Sequence, residues 1–194
     1  MANHVRMWIT VSGSKDAKAA FGQIAQGLEE TRRQFEFGDT QVIAKVLFGG
    51  KELLIDDDLL GGGASWVFVD EADKGQISLT AGWRPAFGVG EEILRRVSQH
   101  DKKAQVHLTF VDEAPNFAGG SVYALVDEEI WRTDDWQEFE ASEVLFDSEY
   151  EELDPDEAEH YLSWDDVHEN MEGCLQVALQ YLRDRKQQDF SKGY

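Results

Sequence analysis

Basic residues are scarce where acidic ones crowd. Of the 18 Lys and Arg in the 194-residue chain, only Arg132 falls between Asp112 and Glu172, a window that holds 22 of the 39 Asp and Glu. The other 17 basic and 17 acidic residues cancel, so this one segment carries the whole net charge of −21. A surface of that sign repels nucleic acid and anionic lipid and attracts basic protein surfaces. Cysteine is almost missing as well. Cys174 stands alone, which excludes an internal disulfide and a disulfide-stapled secreted fold. No apolar stretch near the start has signal-peptide length, and none reaches the roughly 18 residues of a membrane span. The expectation is a soluble, cytoplasmic protein with no membrane attachment.

What is present suffices for a core. The chain is 42% hydrophobic and 11% aromatic, and disordered chains are poor in such residues. The acidic window keeps Trp131, Trp136, Phe139, Val144, Leu145, Phe146, Tyr150, Tyr161 and Trp164. A solvated acidic tail needs none of them, so the window reads as folded.

Periodicity orders the elements. Residues 4–12 alternate, with Val5, Met7, Ile9 and Val11 on one face, as in a half-buried strand. Ser14 is placed to cap a helix over 15–34, where Phe21, Ile24, Ala25 and Leu28 share a face and Gly38 marks a stop. Residues 41–48 fit a strand or a short helix, and the glycine-rich stretch after them reads as a loop. Residues 66–69 and 76–80 flank a turn at Lys74-Gly75, a hairpin signal. A helix is expected at about 88–99 and strands at 105–111 and 121–126. The order is strand, helix, two strands, helix, strand, plus one more strand. It points to an α+β fold of the ferredoxin-like, split βαβ kind: an antiparallel sheet with two helices on one face. Two parts follow, a ferredoxin-like domain over 1–126 and an acidic, mostly helical C-terminal extension over 127–194 packed on it. The extension ends in a long helix, capped by Ser163 with Asp166 three residues on. Val167, Met171, Cys174, Leu175, Ala178 and Leu182 form its buried stripe, and Arg183, Arg185 and Lys186 sit at its end, matching the helix dipole.

Three places resemble the YubB-type ferredoxin-like family of plasmids, integrative elements and phages. They are Met1-Ala2-Asn3-His4 running into a strand ending Val11-Ser12-Gly13; Trp66 through Leu79-Thr80-Ala81-Gly82-Trp83-Arg84-Pro85; and Val106–Phe110 with Asp112-Glu113 and Asn116-Phe117-Ala118-Gly119. The resemblance covers about residues 1–126. Where the family has Gly-x-Lys before Trp66, this chain has Gly63-Ala64-Ser65. The resemblance implies a fold and a mobile-element origin, not an activity.

No catalytic residue stands out. Asp56, Asp58 and Gly61 start like a calcium loop, but the twelfth position is Val67 where a bidentate Glu is required. Gly61-Gly62-Gly63 lacks the Lys-Ser/Thr of a phosphate loop. Gly88-Val89-Gly90 precedes Glu91 and Glu92, which would repel an anion. Glu157, Glu159, His160, Asp165, Asp166 and His168 have no known ligand spacing, so no metal and no cofactor is expected. Cys174 lies among apolar helix positions, unlike a nucleophile.

Aromatics interleaved with acids remain. Asp134, Asp135, Trp136 and Glu138, with Glu149, Tyr150, Glu151, Glu152, Asp154, Asp156 and Glu157, are the candidate partner-binding residues. Aromatic residues supply binding energy while charges steer. The resulting expectation is a non-enzymatic DNA mimic that blocks a basic, nucleic-acid-binding host defence protein of restriction, nuclease or CRISPR type. It would not bind nucleic acid itself. The alternative is an acidic docking or assembly module that binds a basic partner without displacing nucleic acid. Self-association is a further option.

Overall fold

The structure, a computed structural model, describes residues 4–34, 40–50, 64, 66–114, 116–140, 144, 153 and 161–191, with side chains to Arg185. In chain order the elements are β1 (His4–Ser12), α1 (Lys15–Arg32), α2 (Thr40–Leu47), β2 (Val67–Ala72), β3 (Ile77–Gly82), α3 (Phe87–Val97), β4 (Gln105–Asp112), β5 (Phe117–Val126), β6 (Glu129–Glu138) and α4 (Trp164–Ser191). The strands form one sheet in the order β2-β3-β1-β4-β5-β6, and every neighbouring pair is antiparallel.

Alternation on each strand divides the side chains between two layers. Val5, Met7 and Ile9 of β1, Ile77 and Leu79 of β3, Val106, Leu108 and Phe110 of β4, and Tyr123 of β5 are buried in one cluster. Phe21, Ala25 and Leu28 of α1, Val42, Ile43 and Leu47 of α2, and Val89, Ile93 and Leu94 of α3 complete it. The segment 41–48, readable either way in sequence, is helical. Three helices rather than two therefore cover this face.

The opposite face has its own cover. Val111 and Ala118 pack with Val167 and Met171 of α4. Val122, Ala124 and Val126 pack with its Ala178 and Leu182. The anticipated stripe is buried at Val167, Met171, Cys174, Ala178 and Leu182, while Leu175 is only half buried. The helix crosses β5 at Gly120, where an added Cβ would lie 2.6 Å from the Leu175 Cα and N. A side chain at 120 would lift α4 off the sheet.

Several local expectations hold. Ser14 accepts from the Ala17 N–H at 3.3 Å and caps α1. Asp73 Oδ1 accepts from the N–H groups of Gly75 and Gln76 and closes the β2–β3 turn. Ser163 and Asp166 form the reciprocal box: Ser163 N–H and Oγ–H donate to Asp166 Oδ2, and the Asp166 N–H donates back to Ser163 Oγ. The expected stop at Gly38 and the glycine-rich loop lie outside the described residues, apart from Gly49, Gly50 and Ala64.

Two expectations do not hold as stated. Residues 129–138, expected within a mostly helical extension, form β6, in full register with β5 from Phe117↔Glu138 to Val126↔Glu129. The turn between these strands is Asp127-Glu128, with φ of 50° and 68°, the two-residue left-handed turn that suits the twist of a hairpin. Position 126 is thus inside a hairpin. Asp and Glu are poor strand formers, and charge on both faces of β6 hides its period of two. Helix α4 also runs on to Ser191, so Arg183 and Arg185 do not sit in its last turn as expected. Arg185 instead lies 4.3 Å above the Trp131 ring.

Candidate functional site

A cleft of about 380 Å³ opens where the corner after β3 meets the outer hairpin β5–β6. Its first wall is made by a strained turn. The Arg84 N–H donates to the Gly82 carbonyl at 2.9 Å, closing three residues around Trp83, whose φ is +71°. A non-glycine residue at the centre of such a γ-turn is rare and costs on the order of 1–3 kcal/mol. The turn leaves Trp83 53% exposed. Pro85 follows, and α3 begins at Phe87, whose ring meets Phe110 edge-on at 5.7 Å; Phe110 in turn meets Phe117 at 6.1 Å.

The second wall comes from β6. Alternation sends Arg132, Asp134, Trp136 and Glu138 to the cleft side, and all four line it. Gly119, opposite Trp136, makes the close fit: a Cβ there would lie 2.6–2.7 Å from the Asp135 carbonyl, the Trp136 Cβ and the Phe110 ring. The Arg132 guanidinium sits 4.2 Å from the Phe87 ring centroid, and its Nε donates to Asp134 Oδ1 at 3.1 Å. Trp136 is 54% exposed.

The floor is rigid. Tyr123 is fully buried, and its hydroxyl donates to the Phe87 carbonyl at 3.0 Å. Burial pushes its acidity far out of the physiological range, so the phenol acts as a neutral pin between β5 and the start of α3. Gly90 lets α3 seat on that ring, since a Cβ there would meet it at 2.7 Å.

Comparison with family models, with curated proteins and with solved structures gives no match. The chemistry of the site therefore rests on its own residues. Flat aromatic faces beside carboxylates attract cations. Among the described residues that line the cleft, none pairs a nucleophile with a base.

Of the residues expected to bind a partner, Asp134, Trp136 and Glu138 come together in this cleft. Asp135 points to the other face, toward Cys174, whose thiol is pushed up to about 11 by burial and, secondarily, by that carboxylate. Glu149, Tyr150, Glu151, Glu152, Asp154, Asp156 and Glu157 lie outside the described residues. So do Asp56, Asp58 and Gly61–Gly63, and Glu157, Glu159 and His160 of the carboxylate–histidine group. Of the other three, Asp165 lies in the first turn of α4, Asp166 is committed to the Ser163 cap, and His168 makes ring contacts with Trp8 and Trp164 at 6.2 and 6.0 Å. Among the described residues no three His, Cys, Asp or Glu are grouped to hold a metal ion.

Sequence reasoning did not assign Trp83, Arg84, Phe87 or Arg132 to a site. Trp83-Arg84-Pro85 served only as a fold marker. The available signal was the alternation Arg132, Asp134, Trp136, Glu138, which places one cation, two anions and an indole on a single strand face.

Proposed function

We propose that the protein is a non-catalytic, acidic interaction protein that docks a basic, nucleic-acid-handling partner and acts as a DNA mimic. One observation carries the reading. The net charge is confined to residues 112–172, and the described part of that window puts carboxylates beside the exposed Trp136 on the last strand of the sheet. Charges there steer a basic surface inward, and the indole offers the apolar contact that slows release. Duplex DNA carries one charge per roughly 1.7 Å of axis, so 22 carboxylates at that density would match about 37 Å of duplex.

The strand order β2-β3-β1-β4, with α1–α2 and α3 between β1 and β2 and between β3 and β4, supports reading these four strands as ferredoxin-like. The resemblance to mobile-element proteins supports a host defence protein as the partner. A second reading, docking without displacement of nucleic acid, is favoured by one detail: Asp134 and Asp135 project from opposite faces of β6.

The test is competition on the partner captured by the immobilised protein. Excess duplex DNA releases it if the DNA-mimic reading holds. Co-occupancy of DNA and this protein on the partner assigns the docking reading instead. Reversing Asp134, Glu138, Glu149 and Glu151 to Lys should weaken capture and flatten its salt dependence; unchanged capture would refute both readings.

A further inference from the structure

We infer that the cleft between Trp83 and Trp136 receives an arginine side chain of the partner, stacked on indole and paired with Glu138, an inference that rests on the docking reading above. The cleft contains its own template. In its inner half a guanidinium, that of Arg132, lies on the Phe87 ring and donates to Asp134. The outer half repeats those parts without the cation. Trp136 and Glu138 follow Asp134 at two-residue steps on the same strand face, and Trp83 stands on the opposite wall. Glu138 makes no ion pair among the described residues.

The tryptophans single out this place. Trp66 stacks on Phe68 at 4.7 Å, Trp131 lies under Arg185, and Trp8 and Trp164 flank His168. Only Trp83 and Trp136 are more than half exposed, and both line this cleft. Arg84 also reaches the lining, but it is exposed to solvent. The formal charges of Arg84, Arg132, Asp134 and Glu138 cancel, so the sign of the long-range field is set by the net charge of −21, which favours a cation. Guanidinium is preferred over ammonium because it is planar, weakly hydrated and forked to match a carboxylate while its face lies on a ring.

The test uses the full chain and a blocked Gly-Gly-Arg-Gly-Gly peptide, with versions carrying lysine or neutral citrulline in place of arginine. Indole N–H resonances are followed by NMR. The arginine peptide should move the Trp83 and Trp136 signals, the lysine peptide should bind more weakly, and the citrulline peptide should leave them still. Trp136→Ala and Glu138→Gln, both at surface positions, should each weaken binding about threefold to tenfold. Unmoved indoles, equal binding of citrulline, or unchanged affinity in both variants would overturn the inference. So would adenosine monophosphate moving the indoles in place of arginine. Nona-arginine separates the two levels: if it binds with steep salt dependence while the indoles stay silent, docking stands and the cleft assignment falls. If nona-arginine does not bind, the docking reading falls too.

Discussion

One methyl group at Gly120 measures how tightly α4 seats on the sheet. In Gly120→Ala the new Cβ would lie 2.6 Å from the Cα and N of Leu175 and 2.8 Å from its Cβ. Carbon atoms rest at about 3.5–4.0 Å, so the helix must retreat by roughly 1 Å. The obstacle is backbone, and no rotamer change relieves it. A gap of that size forfeits about a quarter to a half of each contact's attraction, and Val167, Met171, Ala178 and Leu182 all feel it. Overpacking costs about 1–3 kcal/mol; with a whole helix displaced, the upper part of that range, about 2–3 kcal/mol, is expected. For a chain of this length, Tm should fall by about 4–12 °C. The control lies on the same helix. Gly173 is exposed, with nothing within 4 Å of an added Cβ, so Gly173→Ala should stabilise by about 0.5–1 kcal/mol through helix propensity. Urea unfolding followed by circular dichroism reads both. A Gly120→Ala protein as stable as its parent would refute the placement of α4 against β5.

Tyr123→Phe removes the bond to the Phe87 carbonyl and should cost about 1 kcal/mol in urea unfolding, with the Arg132–Phe87 stack loosened in the same variant. Ser163→Ala should cost about 1 kcal/mol by removing the cap of α4. The Ser163 bonds hold the Asp166 carboxyl below its ordinary pKa; their stabilisation is present above about pH 3.9 and lost as pH falls through the folded value, so the variant should show a shallower acid dependence there. His107, lowered by burial, binds its proton less readily folded than unfolded. Stability should therefore be full above about pH 6.5 and decline below it, and His107→Gln should flatten that decline in a pH series of melting curves.

Much of the sheet was readable because its buried strands alternate cleanly. Val5, Met7 and Ile9, or Val106, Leu108 and Phe110, admit one assignment. The Ser163–Asp166 box and the apolar stripe after it made α4 legible. QVIAKVLF was ambiguous because a short apolar run suits either period, and packing against α1 decided for helix. β6 was hidden by chemistry: Ile130, Arg132, Asp134, Trp136 and Glu138 share a face that is neither apolar nor polar, so no alternation of hydropathy appears. The cleft depends on two facts that hydropathy does not display. One is the positive φ that turns Trp83 outward; the other is the strand pleat that separates Asp134 from Asp135.

The position of β1 has a consequence for how the chain reaches this structure. It is an inner strand, yet neither neighbour is close in sequence: Ile9 pairs with Ile77 and with Leu108, and Val5 with Asp112. Local hairpins can close as soon as they are made, but β1 cannot. At about 5–20 residues per second, the hundred-odd residues from Val5 to Asp112 take on the order of 5–20 s to synthesise. For that time Val5, Met7, Ile9 and Val11 lack at least one permanent partner, and α1, next in line, is the first element able to shield them. Slow translation over residues 40–105 should thus lower the yield of folded protein, while a separately supplied copy of the β1 sequence should compete for the gap between β3 and β4 during refolding.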